Sequence, residues 1–435
     1  MPNLALDGGT PVRTDPFPSW PVWDEREERA LVEVLRSGKW WRFSYGVGVE
    51  LAEPESGTRS RVVEFQEAFA RHHQSRYGIA CANGTAAIEI LLKAFGVGPG
   101  DEVIVPAYTY FATASAVLQI NAIPVFVDVE PDTYNIDVQR VEAAMTPRTR
   151  AVIAVHFAGQ PANMDALAVL ARNRGIFLIE DAAHAHGSEW NGRKAGSLAA
   201  GGTFSFQASK NMTAGEGGLI TTDDQALAAL CDSFLWAGRK VGRPWYEHHR
   251  LGWNYRLTEF QAAILSQQLL RLEEQNSQRM DNAAYLTQRL ARIEGISPLR
   301  VDARVTRHSY HIYLFRYSAE TLHGVPRPLF LQALNAEGVP CMGGYSHPLY
   351  RNPVFLNKNF YPRGCPLTCG HYNHDVNFAD YEKLCPVSER ACREEAIWLE
   401  HRLLLGSRKD MDDIADAVEK IGAHADELRR KLTLT

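Results

Sequence analysis

Lys210 and Asp181 are the residues whose types and placement can do covalent chemistry. Lys210 follows a short β-like run in F-S-F-Q-A-S-K-N-M-T-A-G-E-G-G, residues 204–218, in a polar turn closed by three glycines. Asp181 ends the apolar start of the earlier stretch F-L-I-E-D-A-A-H-A-H-G. An amine adds to a carbonyl carbon, and a carboxylate at the end of a buried strand holds a proton on a neighbouring ring nitrogen through opposite charge. A pyridine that bears an aldehyde requires both groups, so the pair suits pyridoxal phosphate.

Such a pair needs a rigid frame, and the surrounding sequence alternates strand and helix signals. Strand patterns fall at 78–81, 102–106, 124–129, 151–155 and 176–181, with helical patterns at 62–71, 109–118, 138–144 and 164–171. This order predicts an α/β fold around a mostly parallel sheet, with the ligand site at the carboxyl ends of the strands. Asp181 and the turn after Pro106 fall there. Asn83-Gly84-Thr85 joins a strand to a helix whose Ile88, Leu91, Leu92 and Phe95 share one face. Free amides and the helix dipole attract an anion at such a start, so Gly84 and Thr85 are candidates to hold a phosphate. Other glycine-rich signals are weak. The run Gly96-Val97-Gly98-Pro99-Gly100 lacks the spacing of a dinucleotide fingerprint, and no G-x-x-x-x-G-K-[ST] occurs.

Composition sets the remaining bounds. At 435 residues the chain exceeds a single core, and the expected division is an N-terminal arm and large domain over 1–275 with a smaller domain over 276–435. The net charge of −5 carries no basic block, which argues against nucleic acid as a partner. No apolar run approaches the roughly 20 residues that span a bilayer, and residues 1–10 show no export signal. Seven cysteines, an odd count, fit a reducing cytoplasm.

Six motifs in order carry a resemblance. They are N-G-T-A-A at Asn83, P-A-Y-T-Y-F-A-T at Pro106, G-Q-P-A-N-M-D at Gly159, E-D-A-A-H-A-H-G at Glu180, the Lys210 segment, and G-W-N-Y-R-L-T-E-F-Q-A-A at Gly252. Together they resemble the DegT/StrS family of sugar and cyclitol aminotransferases, which have the fold-type-I architecture of aspartate aminotransferase. The resemblance implies pyridoxal 5'-phosphate as cofactor, with Lys210 joined to it and then acting as base, and Asp181 on its ring nitrogen. It further implies that Tyr110 stacks on the ring, His184 meets the ring hydroxyl and Ser205 binds the phosphate. Many family members have glutamine at the position of His184. Asn254 would reach across a homodimer interface to the partner's cofactor phosphate. The amino donor would be L-glutamine or L-glutamate and the acceptor a keto-cyclitol or keto-sugar, the branch being closest to scyllo-inosose aminotransferases and 3-amino-5-hydroxybenzoate synthases. Pyridoxal-dependent dehydration and aromatisation is the alternative within enzymes, and a non-catalytic regulator the alternative outside them.

Elsewhere the sequence is less explicit. Residues 1–23 read as an extended arm rich in proline and aromatics, and 24–37 as a helix with Ala30, Leu31, Val34 and Leu35 on its apolar face. The aromatic stretch 38–48 reads either as a packed arm or as a substrate-facing loop, and 49–60 as a polar insert. Residues 308–317 alternate like a strand, 343–348 resemble the family's substrate-side loop, and the last helix buries Met411, Ile414, Val418 and Ile421. Cys365, Cys369, His371 and His374 cluster, but with unusual spacing for zinc, and no metal is expected.

Overall fold

The computed structural model describes residues 3–45, 59–368, 370–372, 374 and 376–431. Its centre is a seven-stranded sheet in the spatial order Tyr77–Cys81, Gly218–Thr222, Gly201–Ser205, Phe177–Asp181, Thr149–Val155, Glu102–Pro106, Ile123–Val127. Gly218–Thr222 runs antiparallel to both of its neighbours, and the other pairings are parallel. The fold is therefore α/β with a mostly parallel sheet.

The strands are apolar on both sides because each side meets helices. On one face Ile79, Val103, Val105, Ile153, Val155 and Ile179 pack with the helices Gly84–Ala94, Ala112–Gln119 and Gln225–Leu235. The intervening residues Ile104, Val152, Ala154 and Leu178 face the other way, against Val138–Ala144 and Met164–Arg174. Ala80, Phe204 and Leu219 continue that second face against Arg61–His72 and the long helix Glu259–Leu290. Phe204 is fully buried there, and truncating such a side chain to alanine costs about 3–5 kcal/mol.

Alternation also separates two adjacent acids. Glu180 is fully buried and accepts from the amides of Gly196 (2.7 Å), Leu198 (2.7 Å) and Ala199 (2.8 Å), and its Oε2 meets His156 Nε2 at 2.9 Å. Those partners offset the desolvation of its carboxyl. Asp181, one residue on, leaves the strand on the opposite side, toward the site.

A second core gathers Leu286 and Leu290 of the long helix with Tyr313, Phe315, Ile397, Leu399, Ile414 and Val418. It includes the antiparallel sheet Ile296–Pro298, Ile312–Tyr317, Ala396–Glu400. The arm joins this core through Leu4 and Phe17, while Leu349, Phe355 and Phe378 pack on the large sheet. Residue 275, where the sequence suggested a division, lies inside Glu259–Leu290, a helix opened by a capping box between Thr258 and Gln261. The helix Arg408–Ala423, followed by the shorter Ala425–Lys431, buries Met411, Ile414, Val418 and Ile421 as its period required.

Two readings needed correction. In Glu25–Ser37, Ala30 and Val34 are buried but Leu35 is 56% exposed, because the stripe that meets Ala263 is narrow. In the alternating run at 308–317 only Ile312–Tyr317 is strand. The residues before it turn away to bond around the lysine segment, with Tyr310 at φ +46°. Of 38–48, residues through Tyr45 are described, with Phe43 and Tyr45 buried and Trp40 and Trp41 about half exposed. Most of the polar insert, and Cys369 of the proposed zinc spacing, lie outside the described residues. Among the described residues no helix is long and apolar enough to cross a membrane, and no group of His, Cys, Asp and Glu has the arrangement of a metal site.

Candidate active site

The carboxyl ends of neighbouring strands bring the first candidates together. Gly218 pairs with Cys81 on one side and Ser205 on the other, so three strand ends lie in line. The chain then passes from Cys81 into Gly84–Ala94, where Asn83 Oδ1 accepts from the amide of Ala86 at 2.8 Å. Helix geometry leaves the amides of Gly84 and Thr85 without intrahelical acceptors. Gly84 lies directly over Ser205: a Cβ added there would stand 2.8 Å from the serine Cβ. A Cβ on Gly218 would collide with the Asn83 carbonyl. Two amides at a helix start and a hydroxyl thus form a narrow cradle with the chemistry of a phosphate site.

Asp181 ends the next strand. Thr113 Oγ1 donates to its Oδ2 at 2.9 Å, and the amide of Ala183 donates to Oδ1 at 3.2 Å. Thr109 Oγ1 lies 3.2 Å from Thr113 Oγ1 and completes a short hydroxyl chain. Burial raises the pKa of Asp181, while Thr113, Ala183 and the charge of Lys210 act in the other direction. A protonated ring nitrogen brought against this carboxyl adds an opposite charge and favours the carboxylate.

Lys210 is half-buried, and its amide bonds the carbonyl of Gln207 at 2.9 Å to close the turn. Burial lowers its pKa to about 8, against a smaller opposing effect of Asp181. At pH 7.5 the free-amine fraction then rises from about one in a thousand to about one in four. Lys194, the other lysine near this region, is instead held by Glu273 at 2.6 Å and Glu189 at 3.1 Å.

His184 is buried, and its Nδ1 has no hydrogen-bond partner among the described residues. Its ring lies against His311 (centroids 4.2 Å apart) and Phe157 (5.9 Å). Burial pushes its pKa well below the ordinary histidine value, with Lys210 adding to the effect. A neutral imidazole with a free nitrogen near Lys210 and Asp181 can bond a ring hydroxyl. Orphaned nitrogen, paired carboxyl, depressed amine and phosphate cradle together fit pyridoxal phosphate.

Tyr110 is 61% exposed, on the turn before Ala112–Gln119, and is not a core residue. Its electrostatic neighbour is Tyr345, which also senses Asp181. Asn254 belongs to a different segment. It is exposed, bridged to Trp236, in a segment that runs beside Cys81, and no described contact joins it to Lys210 or Asp181.

Several neighbours escaped the sequence reading. Thr113 was visible as the last residue of P-A-Y-T-Y-F-A-T, one helical turn beyond Thr109. Asn211 donates to the Ser309 carbonyl at 2.7 Å and pairs through Oδ1 with His311 Nδ1 at 3.0 Å. No periodic signal marks these, since the partners are about a hundred residues apart. Beside the lysine turn opens a cavity of about 520 Å³ whose lining includes Trp20, Ser209, His311, Met342, Trp398 and His401. It offers aromatic faces and imidazoles together.

Known proteins are similar to this chain along nearly its whole length. The model of the DegT/DnrJ/EryC1/StrS aminotransferase family matches residues 55–392. A Streptoalloteichus tenebrarius protein provisionally named L-glutamine:3-amino-2,3-dideoxy-scyllo-inosose aminotransferase is 42% identical, over 98% of this chain and 99% of its own. The L-glutamine:2-deoxy-scyllo-inosose aminotransferase of Streptomyces paromomycinus is 38% identical over 97% and 98%. The crystal structure of 3-amino-5-hydroxybenzoic acid synthase superposes with a TM-score of 0.83 at 34% identity, covering 95% of this chain and 100% of that one.

Proposed function

The chain belongs to the DegT/DnrJ/EryC1/StrS aminotransferase family of pyridoxal-phosphate enzymes, and from that premise we propose that it transfers the amino group of L-glutamine to a keto-cyclitol of the scyllo-inosose type. The observation that carries the reading is the depressed amine of Lys210 facing the buried, hydroxyl-bonded carboxyl of Asp181. The substrates follow from the relatives named above, which match this chain end to end.

Each side chain has a task in this reading. Bound pyridoxal phosphate supplies an aldehyde carbon and an electron-withdrawing pyridinium. Lys210 would hold the cofactor through its amine and, as a free amine, would move the proton of the substrate carbon that bears nitrogen. Its pKa near 8 keeps enough free base for that at neutral pH. Asp181, oriented by Thr113 and the Ala183 amide, would keep the ring nitrogen protonated. His184 would bond the ring hydroxyl through Nδ1, and Tyr110 would pack on the ring. Gly84, Thr85 and Ser205 would hold the phosphate. Asn254, exposed on this chain, serves the phosphate of a partner copy, which makes the active unit a homodimer. The protein works in the cytoplasm as two lobes that meet along Glu259–Leu290. The cavity beside the turn has room for a six-membered polyol, with Trp398 for its ring face and His311 for its hydroxyls.

The test is spectroscopic and then chemical. Purified protein with pyridoxal phosphate should show a visible band that L-glutamine collapses, and added 2-deoxy-scyllo-inosose should be recovered as its amine. A band that never forms would sink the reading. The likeness to 3-amino-5-hydroxybenzoic acid synthase favours a second reading, dehydration with aromatisation. It predicts an aromatic product with no stoichiometric use of glutamine.

A further inference from the structure

We propose that Trp20 and His401 are positioning residues that latch the turn carrying Lys210, and that Arg279 sets which nitrogen of His401 faces it. Three distant segments converge here: the N-terminal arm, the long helix, and the chain just after the strand Ala396–Glu400. Trp20 Nε1 donates to the Ala208 carbonyl at 3.0 Å, and His401 Nε2 lies 3.0 Å from the Ser209 carbonyl. These are the two carbonyls immediately before Lys210. The turn is otherwise exposed at Gln207, Ala208 and Ser209, so its own packing does little to place the lysine.

Arg279 explains how the histidine is set. It is fully buried and, among the described residues, pairs with no carboxylate. Its Nη1 donates to Asn276 Oδ1 at 3.0 Å, and Nη2 lies 3.2 Å from His401 Nδ1. A guanidinium can only donate, so Nδ1 must accept and the imidazole proton resides on Nε2, the atom aimed at Ser209. Burial and the neighbouring cation push His401 well below its ordinary pKa, which keeps the ring in that neutral form. The Trp20 ring stands edge-on to His401 at 4.5 Å and lies 5.6 Å from the Arg279 guanidinium, so indole, imidazole and cation brace one another. Asn276 also donates to the His186 carbonyl at 2.8 Å, tying the same cluster to the loop that follows Asp181. A buried arginine without an acid is expensive to keep. Fixing a histidine tautomer against the lysine turn gives it a task.

The latch rests on Lys210 carrying the cofactor, and its test uses full-length protein with pyridoxal phosphate and no substrate. The measurements are the pH midpoint of the visible band and the cofactor concentration that half-saturates it. His401→Phe removes the donor and should move the midpoint by about half a unit or more while weakening retention about tenfold. His401→Gln can accept from Arg279 and donate to Ser209, and should return both values close to wild type. Trp20→Phe keeps the ring but not the N–H and should move both in the same direction by less. If His401→Phe does not fold, Trp20→Phe decides alone. Unmoved midpoint and retention in the folded variants, beside a normal wild-type band, overturn the latch alone. A wild type without a band overturns the proposed function and the latch with it.

Discussion

The carboxyl ends of the central strands and the wall supplied by the smaller unit face the same lysine, yet they are built differently. On the sheet side, Asp181 and Ser205 stand where parallel strands stop, and Gly84 is held against Ser205 by the pairing of both flanking strands with Gly218–Thr222. Backbone hydrogen bonds fix those positions. On the other side, His311, His401 and Trp20 arrive by individual side-chain contacts between segments far apart in sequence. The first side offers groups that any pyridoxal enzyme needs. The second offers shape, tautomer and placement, and it is there that selectivity for a ketone can be changed without disturbing the sheet.

Substitutions can break that comparison in order of effect. Lys210→Ala should abolish the visible band and transamination together, a loss of about 10⁴-fold or more in kcat, read by absorbance and product assay. Asp181→Asn keeps the shape but not the charge, and should lower kcat about 10²- to 10³-fold with cofactor still bound. Thr113→Val leaves Asp181 short of one hydroxyl. Loss of one such bond predicts about a fivefold to tenfold fall in kcat, with little change in the KM for glutamine.

Stability sharpens the picture on the lysine itself. In the cofactor-free protein the folded-state pKa of Lys210 is lowered to about 8, below its unfolded value. Between those values the unfolded chain binds more protons, so stability rises with pH through that window, and the penalty is fully present below about pH 8. Lys210→Met should therefore stabilise the cofactor-free protein by about 1–3 kcal/mol at pH 7 in urea unfolding, a gain that shrinks toward pH 10. The smallest effect is expected at His184→Gln, where an amide can replace the imidazole against the ring hydroxyl. Activity should fall by less than about fivefold, and a large loss would show that the stack on His311 matters more than the bond.

What the sequence disclosed follows the same division. Strands buried on both faces and helices with a strong period announced themselves, so the observed Phe177–Asp181 and Gly84–Ala94 fall where the pattern put them. Asp181 and Gly84 could be singled out from a strand end and a helix start, whereas Ser205 came only from the resemblance. The pattern at 308–317 misled, because alternation also arises when residues alternate between a core and a site. Tyr310 turns the chain before the strand begins, and Ser309 and His311 bond the lysine segment rather than a neighbouring strand. The expected division at residue 275 falls within a 32-residue helix whose Leu265 and Leu272 pack in one core and Leu286 and Leu290 in another. Trp20 and Arg279 carry no local signal, since their meaning lies in what they touch.

Glu180 and Asp181 make one more point about how such a site is constrained. Two acids in succession point to opposite sides of a strand, one anchored by three amides and an imidazole, the other kept for chemistry. Slipping this strand by one residue would turn Glu180 toward the side that Asp181 now faces and carry Asp181 to the opposite face, so neither acid would keep its present partners. The four bonds to Glu180 thus act as a register lock on Asp181. Changes in chain length near the site must be absorbed in the loops on either side, never within Phe177–Asp181.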